Sequence, residues 1–262
     1  MNRTPCVILA VAIVFNIGCP MTCASDPAAP VVTKPTSSDG SKQEAEALLN
    51  ALNDVAAKTG VPRVRYDALH RVTSVWLNTT FATDQNITLL DQFAHLREAK
   101  ISCAPVSITP VALTALSNLA RLEQIELRGA SEHITREIVT ALGRIGTLKT
   151  IIIRDSEIEP DALASLQALP HLEVLKVSGT EAEFTDLNIP AVAKLSHLTD
   201  LDISHTGVTN SCLNSLAKLP RLKHLTVIAT KVSEAGVRGS QLSGKVDVVG
   251  ARLTPSGPDL MR

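Results

Sequence analysis

A twelve-residue pattern that recurs along most of the chain constrains the fold more than any other feature. Apolar residues occupy the first, fourth, seventh and ninth places of each copy, and a small or hydroxyl residue ends it. The copies start at residues 69, 93, 119, 145, 169, 195, 219 and 240, so successive starts lie 21 to 26 residues apart. Since one such unit cannot bury its own apolar face, the units must stack on one another.

Each unit predicts a short strand, a turn and a short helix. In the copy that starts at residue 169, alternation turns Leu172, Leu175 and Val177 inward, whereas Val174, Lys176 and Ser178 point outward. Between copies, apolar residues recur every third place behind a Thr or Ser that is typical of a helix start. These predicted starts are Thr109 (followed by Pro110), Thr135, Thr185, Thr209 and Ser233.

The units resemble the leucine-rich repeat, LxxLxLxxTxV, and the residues that carry the resemblance in one copy are Leu222, Leu225, Val227, Thr230 and Val232. The stretch TKVSEAGV at 230–237 is similar to the T-x-I-T-D-x-G-L variety of secreted bacterial repeat proteins, a relative of the cysteine-containing repeats beside F-boxes. This resemblance implies an α/β solenoid of about eight repeats that is curved, with a parallel sheet on the concave face and short helices on the convex face. It also implies binding of other macromolecules.

The family places Asn or Cys where a side chain bonds the backbone of the turn. Here that place is taken by Thr80, Ser156, Thr180, Thr206 and Thr230, and by Ala104, Ala130 and Ala251. Because Ala cannot make the bond, we expect the two extra residues of the longer units to reroute the turn at Ala104 and Ala130.

The chain predicts five segments. Residues 1–24 have the layout of a secretory signal peptide, with Arg3 before an apolar run that is shorter than the about 20 residues of a membrane span. Residues 25–40 form a Pro- and Ser-rich linker, and 41–68 form a helical cap with capping-box spacing between Ser41 and Glu44. The repeats cover 69–251, and 252–262 form a tail. We therefore expect an exported protein, with lipidation through Cys19 as the alternative to simple cleavage, and no transmembrane segment after cleavage.

Composition narrows the function. The chain is 45% apolar but only 2% aromatic, and its formal net charge is −1, without a basic stripe interleaved with aromatic residues. We therefore expect no nucleic-acid partner. No glycine-rich phosphate loop, metal-ligand spacing or nucleophile elbow occurs, so the sequence predicts neither an enzyme nor a cofactor or metal site.

Outward strand positions are the predicted partner surface. One lane reads Trp76, Lys100, Glu126, Ile152, Lys176, Asp202, Thr226 and Asp247; the next reads Asn78, Ser102, Arg128, Arg154, Ser178, Ser204, Ile228 and Val249. The candidate partner-binding residues are Trp76, Arg128, Ile152, Arg154, Lys176, Asp200, Asp202 and His224.

Two features of these lanes have alternative interpretations. Arg128 and Arg154 form either a cationic patch that binds a carboxylate or a solvated surface with Glu126 as its counter-charge. Trp76 is either a binding anchor or a residue covered by the N-terminal helix or tether, and we favour the cover.

The stretch SHLTDLDISHTGVT at 196–209 has the residue types of a metal or acid/base site. Its two histidines, His197 and His205, are about 27 Å apart along an extended strand and cannot share one ion. Neighbouring strands place His224 beside Asp200 and Lys176 beside Asp202, which favours opposite-charge pairing. A metal site of Asp200, Asp202 and His224 stays the alternative.

Two cysteines, Cys103 and Cys212, lie beyond the signal region. Four stacked units separate them by about 19 Å, whereas disulfide-bonded Cα atoms lie within about 7 Å. We therefore expect no internal disulfide.

The sequence thus predicts an exported, non-enzymatic leucine-rich repeat protein that binds another protein or a cell-envelope polymer through its concave face. The alternative is a self-associating spacer of the cell envelope. A substrate adaptor of the F-box type is less consistent with the signal peptide and with the missing F-box.

Overall fold

The computed structural model describes residues 38–102, 108–129, 134–179 and 184–252. Within these ranges one open sheet of nine strands follows the order of the chain. Its strands are β1 Val64–Tyr66, β2 Val72–Leu77, β3 Glu98–Ser102, β4 Gln124–Arg128, β5 Thr150–Arg154, β6 Val174–Ser178, β7 Asp200–Asp202, β8 His224–Thr226 and β9 Asp247–Val249. The helices are α1 Ser38–Thr59, α2 Asp84–Leu89, α3 Pro110–Ala115, α4 Arg136–Leu142, α5 Ile189–Val192, α6 Cys212–Leu216 and α7 Glu234–Gly239. Shorter 3₁₀ turns occupy Leu90–Gln92, Leu116–Asn118 and Ala162–Ala168.

Strands β2 to β9 pair in parallel, each with the next one along the chain. A helix or 3₁₀ turn returns the chain to the start of each following strand, so every unit adds one strand to the sheet. The predicted α/β leucine-rich repeat solenoid is therefore confirmed as an architecture.

The apolar places of the repeat form the core between the sheet and the helices. In the copy that starts at residue 145, Ile145, Leu148, Ile151 and Ile153 are all 0% exposed. Leu172, Leu175 and Val177 are buried too, as their alternation predicted. Each such side chain contributes about 1.5–3 kcal/mol relative to an exposed position, so the periodic pattern supplies most of the driving force for stacking.

Three of the five predicted helix starts are confirmed as N-caps. The hydroxyl oxygens of Thr109, Thr135 and Ser233 accept hydrogen bonds from the backbone N–H three residues later. The prediction was wrong for the other two: α5 begins at Ile189 and α6 at Cys212. There, Thr185 and Thr209 bond other groups.

Thr185 donates its backbone N–H to Asn188 Oδ1 at 3.0 Å, and Thr209 donates its backbone N–H to Asp186 Oδ1 at 3.0 Å. The Asp186 contact joins neighbouring units. Asp84 makes the same contact with Thr109 at 3.0 Å, and Asn210 accepts from the N–H of Ser233 at 2.9 Å.

The first end of the sheet differs from the prediction. Helix α1 begins at Ser38, three residues before the predicted boundary, and an unpredicted strand β1 pairs antiparallel with β2 through Val64 and Val75. This strand covers an edge that would otherwise present unpaired backbone groups. Leu69, the apolar first place of the first copy, is 70% exposed, because the chain from Asp67 to Arg71 turns back towards β2.

The register of the last strand was predicted wrongly. The pattern set Asp247 beside Thr226, but the structure pairs Asp247 with His224 and Val249 with Thr226. Polar and glycine residues dilute the apolar places of this unit, so several registers bury similar surface and the pattern does not select one.

The predicted bond from a side chain to the backbone of the turn is confirmed at Thr206 and Thr230. Thr206 Oγ1 donates to the carbonyl of Ile203 at 2.6 Å, and Thr230 Oγ1 donates to that of Val227 at 2.8 Å. Ser156 Oγ donates to the carbonyl of Arg154 at 2.9 Å, whereas Thr80 is exposed and forms no such bond with a described residue.

The segments 1–24 and 253–262, most of the linker, and Cys103, Ala104, Ala130 and Thr180 lie outside the described residues. Among the helices that are described, none has the length and apolarity to cross a bilayer.

Candidate binding surface

The outward-pointing residues of β2 to β8, here called the exposed sheet face, follow the predicted lane. Register pairs join its members in the order Trp76, Lys100, Glu126, Ile152, Lys176, Asp202 and Thr226. This face lies opposite the core-facing side of the same strands, since successive side chains of a strand alternate.

Charged side chains form a network across the first strands of this face. Lys100 Nζ lies 3.1 Å from Glu98 Oε1 and 3.8 Å from Glu126 Oε2, and Arg154 Nε lies 3.2 Å from Glu126 Oε1. The side chain of Glu126 is only 16% exposed, so it is held between both cations. Glu126 is thus the counter-charge of Arg154, as one of the two interpretations held.

A depression of about 470 Å³ opens beside this network, at the carboxyl ends of three neighbouring strands. Arg128, Arg154 and Ser178 are the last residues of β4, β5 and β6. The lining of this arginine depression consists of Arg128, Arg154, Asp155, Ser178, Gly179 and His205.

After each of the strands β4 to β7, the chain passes through a residue with left-handed backbone conformation. The eleventh place of successive units holds Gly129, Asp155, Gly179 and His205, with φ of 64°, 52°, 80° and 56°. The N–H of Gly129 donates to the carbonyl of Arg154 at 2.9 Å, and that of Asp155 to the carbonyl of Ser178 at 2.9 Å. These bonds tie the left-handed turn of one unit to the next.

The two arginines of the depression have different acidic partners. Arg128 Nε donates to Asp155 Oδ2 at 3.1 Å, whereas Arg154 Nε pairs with Glu126. No hydrogen bond or ion pair to another described residue engages their terminal guanidinium nitrogens. The side chains of Arg128 and Arg154 are 58% and 44% exposed, so these donors are available to a planar acid.

Trp76 is covered, but by a residue other than those expected. The guanidinium carbon of Arg63 lies 3.8 Å from the ring centroid, and the indole N–H donates to Ser102 Oγ at 3.0 Å. Arg63 belongs to the segment between α1 and β1, so this segment, rather than the helix or the tether, lies over the ring.

Ile152 and Lys176 contribute differently from the other candidates. Ile152 lies in the outward lane but is only 8% exposed, so its neighbours on the sheet cover it. Lys176 stands opposite Asp202 in register, as predicted, but forms no ion pair with any described residue.

The candidates Asp200, Asp202 and His224 do not converge on one point. Asp200 Oδ2 accepts from Thr199 Oγ1 at 2.5 Å, and Asp202 Oδ1 accepts from the N–H of Ser204 at 3.0 Å. His224 is in register with Asp200, but its Nδ1 lies 3.6 Å from Asp247 Oδ2 on β9 instead. Across the described part of the chain, no three His, Cys, Asp or Glu side chains are grouped as metal ligands.

The histidines His197 and His205 lie in separate depressions. His197 lines a small one near Leu166 and Lys194, before β7, whereas His205 follows β7 and lines the arginine depression. The proximity of these residues in sequence therefore does not make one site.

A second basic depression, of about 270 Å³, lies at the amino ends of the strands and was not predicted. Its lining is Arg97, Ala120, Arg121, Glu123, Thr147, Lys149 and His171. Lys149 Nζ pairs with Glu123 Oε1 at 3.1 Å.

Nearby, burial and then the charges of Arg71 and Arg121 lower the pKa of His95.

The sequence predicted both arginines of the arginine depression but not Asp155, Gly179 and His205 as part of it. The repeat pattern does indicate these three positions. These three residues share the eleventh place of their units, where a chain that leaves a strand adopts positive φ. Two glycines at that place, Gly129 and Gly179, mark a sharp turn towards the sheet edge.

Stacked strand–helix units with one charged sheet face define the class of a leucine-rich repeat solenoid. No family model matches this chain, and no curated protein matches it in sequence. Among solved structures, it is similar to an internalin C2 from Listeria monocytogenes, with 21% identity over 79% of this chain and 92% of that one and a TM-score of 0.45. It is also similar to an internalin (inlF) from the same organism, with 19% identity over 63% of this chain and 50% of that one and a TM-score of 0.38.

Proposed function

We propose that this chain is an exported, non-enzymatic leucine-rich repeat protein that binds another protein or a cell-envelope polymer through its exposed sheet face. We expect this face to be the concave one. The observation that carries the proposal is the arginine depression, where two neighbouring guanidinium groups keep terminal donors that no described residue engages.

The rigidity of the face supports a binding role. Every strand from β2 to β8 is hydrogen-bonded on both sides, and Lys100 and Arg154 both lie within ion-pair distance of Glu126. A surface that is already ordered loses little conformational entropy when a partner binds, so more of the contact energy appears as affinity.

The acids and the histidine that the sequence places together lie in separate contacts. Asp200 and Asp202 accept hydrogen bonds from hydroxyl groups beside them in the chain, and His224 faces Asp247. Burial, and then the charge of Asp186, raises the pKa of the Cys212 thiol to about 12, so it is not a ready nucleophile. These contacts support the non-enzymatic part of the proposal.

Photo-crosslinking from matched positions tests which face binds. A benzophenone amino acid replaces His224 on the exposed sheet face or Gln167 on the 3₁₀ turn of the helical side, both of which are exposed. We expect adducts with a partner from position 224 only. Equal or stronger adducts from position 167 would overturn the proposal.

A self-associating spacer is the second candidate, and the open edge of the sheet favours it. Among the described residues, β9 is the last strand of the sheet. Val249 in this strand and Ile228 beside it are 48% and 46% exposed. Such an edge is able to pair with another chain. If the protein is a self-associating spacer, light scattering should detect oligomers of the wild type that Val249→Lys abolishes. A monomeric mass at every concentration of the wild type would contradict this interpretation.

A further inference from the structure

We propose that the arginine depression is a carboxylate-binding site for an acidic segment of a partner protein, and that Asp155 occupies Arg128 until this segment replaces it. This inference rests on the proposed function and adds the chemistry of the ligand and an internal competitor for the site.

The donors of the site are arranged for a planar acid. Arg128 and Arg154 are direct register partners on β4 and β5, about one strand spacing of 4.8 Å apart. Each uses only its Nε toward the described residues, so each retains its terminal N–H groups. A guanidinium fork matches the two oxygens of a carboxylate, and two forks side by side fit two acidic side chains on the same face of one extended segment.

Asp155 reaches Arg128 because of an unusual backbone conformation. It is a non-glycine residue at φ 52°, a region that such residues visit rarely. Its side chain crosses the backbone of Gly179, where a Cβ atom would overlap Oδ1. The turn therefore holds a carboxylate of the chain itself on the guanidinium group that a ligand would use.

The contact between Asp155 and Arg128 is easily exchanged. Their side chains are 51% and 58% exposed, and an ion pair with this exposure contributes little net stability. An external carboxylate thus replaces the internal one at small cost, and gains the unused donors of Arg154 as well.

The charge of the site favours a carboxylate over a phosphate polymer. Asp155 and Glu126 balance Arg128 and Arg154, so the depression has little net positive charge. A guanidinium fork matches phosphate as well as carboxylate, so the two ligands differ here in charge density. A phosphate polymer depends more on net positive charge, which Asp155 and Glu126 cancel, than an acidic segment with a few carboxylates does. The hydroxyl of Ser178 and the imidazole of His205 add hydrogen-bonding groups to the lining.

The test is calorimetric titration of the whole chain with a short oligoglutamate peptide, and in parallel with inorganic polyphosphate. We expect the wild type to bind oligoglutamate and Arg128→Gln/Arg154→Gln to lose that binding. Asp155→Asn, which removes the competitor, should tighten binding about two- to fivefold, the factor that a 0.5–1 kcal/mol contact corresponds to. Asp161→Asn, an exposed acid on the helical side, changes net charge equally and should leave affinity unchanged.

Several outcomes would overturn the inference. These are equal binding by the wild type and the double Gln variant, no gain or a loss in Asp155→Asn, a gain of the same size in Asp161→Asn, or tighter binding of polyphosphate than of oligoglutamate. Circular dichroism and urea unfolding of each variant show that it is folded. Adducts from position 224 together with any of these outcomes would reject the carboxylate site and leave the proposed function standing.

Discussion

The side chain of Asp155 crosses the backbone of Gly179 so closely that a Cβ atom at residue 179 would overlap Oδ1 of Asp155. Gly179 also has φ 80°, which disfavours any other residue. One backbone position therefore sets both the turn and the placement of the acid beside Arg128.

We expect Gly179→Ala to destabilise the protein by about 1–2 kcal/mol, because the variant adds left-handed strain and displaces Asp155. Urea unfolding measures the change. Gly146→Ala is the matched control, since a Cβ atom there meets nothing within 4 Å. Equal effects of the two substitutions would contradict the role given to Gly179.

We expect Thr206→Val to lower the free energy of unfolding by about 1–3 kcal/mol, because it leaves the buried carbonyl of Ile203 without its hydroxyl donor. Thr79→Val changes an exposed threonine and should stay within about 0.5 kcal/mol of the wild type. The same urea titration checks both. If Thr206→Val lowers the free energy of unfolding no more than Thr79→Val does, the hydrogen bond from Thr206 to Ile203 does not stabilise the turn.

His95 should make stability depend on pH. Its pKa is lowered in the folded protein, by burial first and then by Arg71 and Arg121, so the unfolded chain binds the proton more readily. The contribution of His95 to the free energy of unfolding is therefore fully present above its ordinary pKa of 6.5 and is lost as the pH falls below it. His95→Gln should flatten the decline measured by urea unfolding between about pH 7.5 and 5.5, and an unchanged slope would contradict this assignment.

Cys212 should resist alkylation in the folded protein. Its side chain is 1% exposed and its thiol pKa is raised to about 12, so both access and thiolate are lacking. We expect iodoacetamide to label Cys212 in urea but not in buffer, with peptide mapping by mass spectrometry to separate it from the other cysteines. Rapid labelling in buffer would show that α6 opens readily.

The central strands were predictable from the sequence because burial is periodic there. Leu122, Ile125 and Leu127 occupy the same places as Leu222, Leu225 and Val227, and a register slip would expose all of them. The lane from Trp76 to Thr226, and the adjacency of Arg128 and Arg154, follow from this register alone.

The remaining features depend on interactions that the repeat does not encode. Strand β1 lies outside the repeat, and Thr185 and Thr209 bond Asn188 and Asp186 instead of capping helices. The strand register likewise does not determine which side chains form contacts. His224 stands beside Asp200 but contacts the carboxylate of Asp247. Rotamers choose among several neighbours at similar distances, so a lane predicts adjacency but not partners.

The central claim is that the exposed sheet face captures a partner through Arg128 and Arg154. Its most direct test compares capture from the envelope fraction of the source organism by the wild type, by Arg128→Glu/Arg154→Glu, and by Arg136→Glu/Arg144→Glu on the helical side. The last two variants change net charge equally, and Arg136 and Arg144 are exposed. We predict that a partner captured by the wild type is lost with the first variant and kept with the second. Retention by the first variant, or equal loss in both, would contradict the claim.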